Sequence, residues 1–111
     1  MTNKLPKIYI PNAGGHDFSK AEVFGELVKL SEGLFPLSSL GAMIRLFTPI
    51  VKNSSPNDYI LICGPTTMNL ILGGLFILKH HRLNLLIWTI DKNRDGDYRK
   101  RNLVFNLEDL Q

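Results

Sequence analysis

With 111 residues the chain has material for a single domain built round one core. Its 44% hydrophobic and 21% charged residues exclude wholesale disorder, and its net charge of +3 falls well short of a polycation. One cysteine, Cys63, excludes an internal disulfide framework and a cysteine-rich zinc site.

Met1 to Pro6 carries one lysine, Lys4, but no apolar signal core. The longest apolar stretch, Met68 to Leu78, ends at Lys79 and falls short of the roughly 20 residues a bilayer requires, so no membrane partner is expected. A lone cysteine suits a reducing compartment, and a cytoplasmic location follows as the expectation.

Ile8, Tyr9 and Ile10 are strand formers and predict a strand over Lys7 to Pro11. It runs into a loop from Asn12 through Gly14, Gly15 and His16 to Asp17. Ser19 stands three residues before Glu22, the capping-box spacing, and Val23, Leu27 and Leu30 recur at helical intervals. A first helix is therefore predicted from Ser19 through Leu30, ended by Gly33 and Pro36. A second is expected from Ser38 or Ser39, with Leu40, Met43, Ile44 and Phe47 on one face. Pro49 places its end near Thr48, with room for one extra turn.

After a polar connector, Lys52 to Asn57, the run Asp58 to Cys63 reads as a strand covered on both faces. Gly64 and Pro65 break it, and Thr66 or Thr67 would cap a third helix ending near His80 and His81. This helix is apolar nearly all round, so it either lies deep in the domain or meets a partner chain. A strand over Leu83 to Ile90 follows. Asp95 and Gly96 signal a hairpin turn, and Tyr98 to Phe105 would return as an edge strand. The expected fold is a small three-layer, Rossmann-like α/β sandwich over residues 1–111, with a mostly parallel sheet, right-handed crossovers and a C-terminal hairpin.

Ligands of open α/β sheets bind beyond the carboxyl ends of the strands. Asn12 to Ser19 and Gly64 to Asn69 occupy that position, and both lead into predicted helix N-termini, which attract anions. Asn12, Gly14, Gly15, His16, Asp17, Thr66 and Thr67 are thus the candidate ligand-binding residues, for a phosphorylated or nucleotide-like small molecule. His16 and Asp17 are also the candidate catalytic pair, His16 for its near-neutral pKa and Asp17 to orient it or to bind a ribose hydroxyl. The glycines form no dinucleotide fingerprint and no Walker lysine follows, which disfavours a Rossmann oxidoreductase and a P-loop enzyme. No cofactor is expected.

Other features read as structural. Cys63 ends a core strand, with no arginine-bearing cradle after it. His80 and His81 lack further metal ligands at set spacing, and no metal site is expected. Asp91, Asn93, Asp95 and Gly96 begin like a calcium loop, but Asn102 stands where a bidentate glutamate is required. Arg99, Lys100 and Arg101 form a basic run that Asp91, Asp95 and Asp97 blunt, which argues against nucleic acid.

His16 to Leu27, Ser55 to Leu61 and Arg82 to Leu86 resemble a group of small uncharacterised proteins of tailed bacteriophages. The resemblance spans most of residues 8–90 and implies a phage setting, hence a host-cell cytoplasm, with no activity to carry over. The leading expectation is a small-ligand-binding α/β domain. The rival is a non-enzymatic homo-oligomer or virion component, assembled through the apolar third helix, where Gly73 and Gly74 would admit another helix.

Overall fold

The computed structural model describes residues 5–36 and 38–111; residues 1–4, part of the segment read above for a signal peptide, lie outside it. Five strands form one sheet: β1 (Lys7–Ile10), β2 (Glu26–Lys29), β3 (Tyr59–Leu61), β4 (Arg82–Ile90) and β5 (Gly96–Val104). Their order is β2-β1-β3-β4-β5, with β1 to β4 parallel and β5 antiparallel to β4. Two α-helices are present among the described residues, α1 (Leu40–Lys52) and α2 (Thr66–His80). The mixed α/β class, the mostly parallel sheet and the C-terminal hairpin are as expected from the sequence.

The first predicted helix does not form. Ser19–Val23 makes only a 3-10 turn, and Glu26–Lys29 is an edge strand paired with β1. Leu27 and Val28 suit either periodicity, and contact geometry decides between them. The Glu26 N–H donates to the Pro6 carbonyl at 2.8 Å. A Cβ at Gly25 would come within 2.2 Å of that carbonyl oxygen, so only glycine lets the chain enter the sheet there. Val23, needed for the helical stripe, is 84% exposed, while Phe18 and Ala21 are buried instead. The capping box is also absent, because Ser19 donates its N–H to Asp17 Oδ1.

Layering changes with it. Met43, Phe47 and Val51 of α1 and Met68, Leu72 and Phe76 of α2 pack together on Tyr9 and Ile60, on one face of the sheet. The opposite face, with Ile8, Ile10, Leu61 and Leu86, is covered by Phe18 and Ala21 of the β1–β2 connection. Helices thus cover one face and a loop the other. The β1–β2 connection steps one way across one face, and both helical crossovers step the other way across the opposite face. All three therefore share one hand.

α1 continues past Pro49 to Lys52. Pro49 lies on the exposed side, where water serves the orphaned carbonyl, while Val51 on the buried side holds the last turn. Lys79 of α2 donates to the closing carbonyls of Val51, Lys52 and Ser54, a cation at a helix C-terminus. α2 begins at Thr66 as predicted, but neither threonine caps it. Asn69 does the local work, bonding the carbonyls of Cys63 and Pro65 and accepting from the Cys63 N–H.

Beneath the sheet, at the amino ends of its strands, lies a buried polar cluster. The Asp58 carboxylate accepts from the Lys7 N–H at 3.0 Å, the Tyr9 hydroxyl at 2.7 Å and the Ser55 N–H at 2.8 Å. Buried Asn84 donates to the carbonyls of Pro56 and Asp58, adding β4 to the same knot. Nearby, Ser54 donates to the Val51 carbonyl and receives the His80 Nε2 proton at 2.8 Å.

Replacing Asp58 by alanine leaves three donors without their acceptor and is expected to cost about 3–5 kcal/mol, read as a lowered urea midpoint. Burial, and then the charge of Lys79, lowers the His80 pKa below the ordinary imidazole value of about 6.5. The native state thus disfavours the imidazolium while the unfolded chain takes the proton. Stability from this group is complete above about pH 6.5 and is lost as pH falls through the window below it. Melting curves between neutral pH and about pH 5 should show that decline, and His80→Gln should flatten it.

Candidate functional site

β1 and β3 are neighbours, so the strand order reverses between them and their following loops meet at the usual ligand position of an open α/β sheet. That crevice is filled. Asn12 is buried and donates its side-chain N–H to the Gly33 carbonyl at 2.8 Å, while its own carbonyl accepts from Cys63 Sγ. Gly64, at φ +74°, rests on it: a Cβ there would lie 3.2 Å from both the Asn12 Cβ and carbonyl oxygen. Asn12 is thus a strut joining the loops after β1, β2 and β3.

The other predicted residues divide. Gly14 and Gly15 turn at positive φ at an exposed tip. Thr66 lines an apolar groove between α2 and β4, on the helical face, and Thr67 is exposed beside it. His16 and Asp17 belong to a different hollow of about 400 Å³ on the opposite face. The seven residues therefore do not line one cavity. Between the glycine turn and the Pro65–Thr66 turn lies the Asn12–Gly64 contact.

The cavity holding His16 and Asp17 has aromatic walls. Phe18 closes it from the loop, Cys63 from the end of β3, Trp88 from β4 and Tyr98 from β5. Trp88 and Tyr98 are direct cross-strand partners, packed edge to face with ring centroids 4.9 Å apart. The indole lies over Gly96, where a Cβ would meet it at 1.8 Å. Lys20 holds the loop to the hairpin, donating to the Gly96 carbonyl at 2.7 Å with its ammonium 5.7 Å from the Trp88 ring centroid. Trp88 remains 44% exposed, an aromatic surface available within a polar rim.

The rim's ionisation follows from its contacts. The Ser19 backbone N–H, with the Ser19 hydroxyl, holds Asp17 below the usual carboxylate range, so it is an acceptor at neutral pH. Burial pushes the Cys63 thiol up, which leaves it protonated and a poor nucleophile. Burial, with Cys63 and Asp17 nearby, likewise raises Tyr98. Among the described residues His16 makes no hydrogen bond to Asp17; its ring meets the edge of Phe18 instead. The expected catalytic pair is thus adjacent in chain but not coupled. The site offers one acceptor carboxylate, one imidazole and an open indole face.

Trp88, Tyr98 and Lys20 escaped the sequence reading. The hairpin signal at Asp95 and Gly96 held the clue, since pairing Gly96 with Ile90 sets Tyr98 opposite Trp88. Asp91 closes that loop, accepting from the N–H groups of Asn93 and Asp95, which makes it a turn residue. No helix among the described residues is long and apolar enough to cross a membrane. No protein-family model, curated protein or solved structure matches this chain.

Gly96→Ala should force the indole off its seat. The emission of Trp88, the only tryptophan, is expected to shift red as the ring enters water, with a loss of about 1–3 kcal/mol in stability measured by denaturant titration.

Proposed function

We propose that this chain is a small-ligand-binding α/β domain that holds a nucleotide-like molecule in the cavity walled by Trp88, Tyr98 and Phe18. The observation that carries this reading is the half-open indole of Trp88 beside the ionised carboxylate of Asp17. A planar base stacks on the indole, a contact worth about 1–3 kcal/mol per base. Asp17 accepts from a sugar hydroxyl or an exocyclic amine, groups that donate. A phosphate on such a ligand lies away from Asp17, towards Lys20 and His16. The volume of about 400 Å³ falls within the usual size of small-molecule sites. The reading assigns binding, with no bond-making step.

Because Trp88 is the sole tryptophan, its fluorescence reports occupancy without a label. Titration with a panel of nucleosides and nucleotides is expected to quench it saturably for at least one compound. Asp17→Asn, at an exposed position, should keep the fold and weaken that compound about tenfold or more. No quenching and no thermal stabilisation by any member of the panel would overturn the reading.

A further inference from the structure

The helical face of the sheet is left half bare. α1 and α2 cover β1 and β3, and no further helix among the described residues lies over the β4–β5 ribbon. Two hollows result. One, of about 420 Å³, is an apolar groove between Leu70, Gly73, Gly74 and Ile77 of α2 and Leu83 and Leu85 of β4. The other, of about 360 Å³, lies between Ile77 and Leu78 and the C-terminal segment. Both share Ile77, so they form one continuous strip.

The C-terminal segment is itself apolar and scarcely buried. Leu107 and Leu110, three apart in a 3-10 turn and so on one side of it, are 69% and 84% exposed. Leu70, Leu78, Leu103 and Phe105 beside them are exposed as well. Large apolar side chains exposed together beside an apolar groove mark an interaction surface.

Charge selects the occupant. Arg99 and Arg101 lie opposite Ile87 and Leu85 and so point to this same face. The one ion pair among the described residues joins Lys29 to Glu32, so neither arginine has an acid on it, and neither Glu108 nor Asp109 has a base. The chain thus carries a basic strip beside the groove and an acidic, leucine-bearing tail of matching character. Edge-to-edge pairing of two β5 strands would set Arg99, Lys100 and Arg101 against their own copies, an opposed arrangement. Docking face to face does not. Gly74 meets nothing within 4 Å of where a Cβ would stand, so a close-approaching body finds the helix flat there.

We infer that this face docks a second copy of the chain about a two-fold axis. The tail of each copy lays Leu107 and Leu110 into the α2–β4 groove of the other and sets Glu108 and Asp109 against its Arg99 and Arg101. The arrangement is isologous and closed, giving a dimer and no filament.

Sedimentation equilibrium of the full chain over the micromolar range tests this. The expected result is a monomer–dimer equilibrium, weakened about tenfold or more by Leu110→Glu, whose side chain is exposed and unnecessary to the fold, as circular dichroism should verify. Arg101→Glu should weaken the dimer as well, and adding Glu108→Lys should restore it. A wild-type chain monomeric at high micromolar concentration, a Leu110→Glu dimer as tight as wild type, or a charge swap that fails to restore association would overturn the inference. The fluorescence titration reads the opposite face of the sheet, so either proposal can fail without the other.

Discussion

The Asp58 carboxylate is the point on which the sheet's geometry depends. It is 5% exposed and accepts from the backbone at the start of β1, from a side chain in the middle of β1 and from the turn before β3. A buried carboxylate is tolerated only when donors converge on it, and these come from segments about 50 residues apart in sequence. Through its backbone carbonyl and Asn84 it also fixes β4. One residue therefore aligns three parallel strands at their amino ends, β1 and β3 through its carboxylate and β4 through its backbone carbonyl. A register slip between β1 and β3 would strand the carboxylate without partners, a far larger penalty than the loss of one ladder bond.

With the lower ends fixed, the upper ends are left to loops, and their packing determines where a ligand can go. In doubly wound sheets the space between the loops at the reversal point is the usual site. Here the polar side chain of Asn12 and the missing side chain of Gly64 close it. The hollow lies instead one strand over, on the face whose cover is a loop and a 3-10 turn. That cover meets the hairpin through Lys20 at Gly96, and Trp88 and Tyr98 form a wall with space in front of them. The displacement of the site and the absence of the first predicted helix have one cause.

Elements whose sequence admits a single reading were legible: the buried run of β3, the capless but strongly apolar α2, and the Asp95–Gly96 hairpin. Residues 19–30 were not, because Leu27 and Val28 fit both a helical stripe and a half-buried edge strand. The deciding fact, the approach of Gly25 to the Pro6 carbonyl, is a contact between segments that no local pattern encodes. Pro49 left the last turn of α1 open for a related reason. Its cost depends on which side of the helix it occupies, and that is known only once Val51 is seen buried. In the site, His16 and Asp17 were visible as polar residues in a glycine loop. Phe18 lies beside them in the chain, but Trp88 and Tyr98 sit more than 70 residues away and join them only through strand pairing.

The bare ribbon on the helical face has a separate origin. A sheet's apolar residues must be covered, and a β-α-β unit covers only the strands it spans. Among the described residues β4 is joined to β5 by a hairpin and not by a crossover helix, so that ribbon has none laid over it. Leu83, Leu85 and Leu103 are left at the margin of α2, and the tail leucines have too little of their own chain to bury against. The two-fold partner inferred above would cover the ribbon, since each copy would supply the apolar cover that the other's face lacks. The basic residues of β5 are consistent with that division of labour. They oppose association along the strand edge, where pairing would be open-ended, and leave the closed, face-to-face arrangement as the one in which both the leucines and the charges find partners.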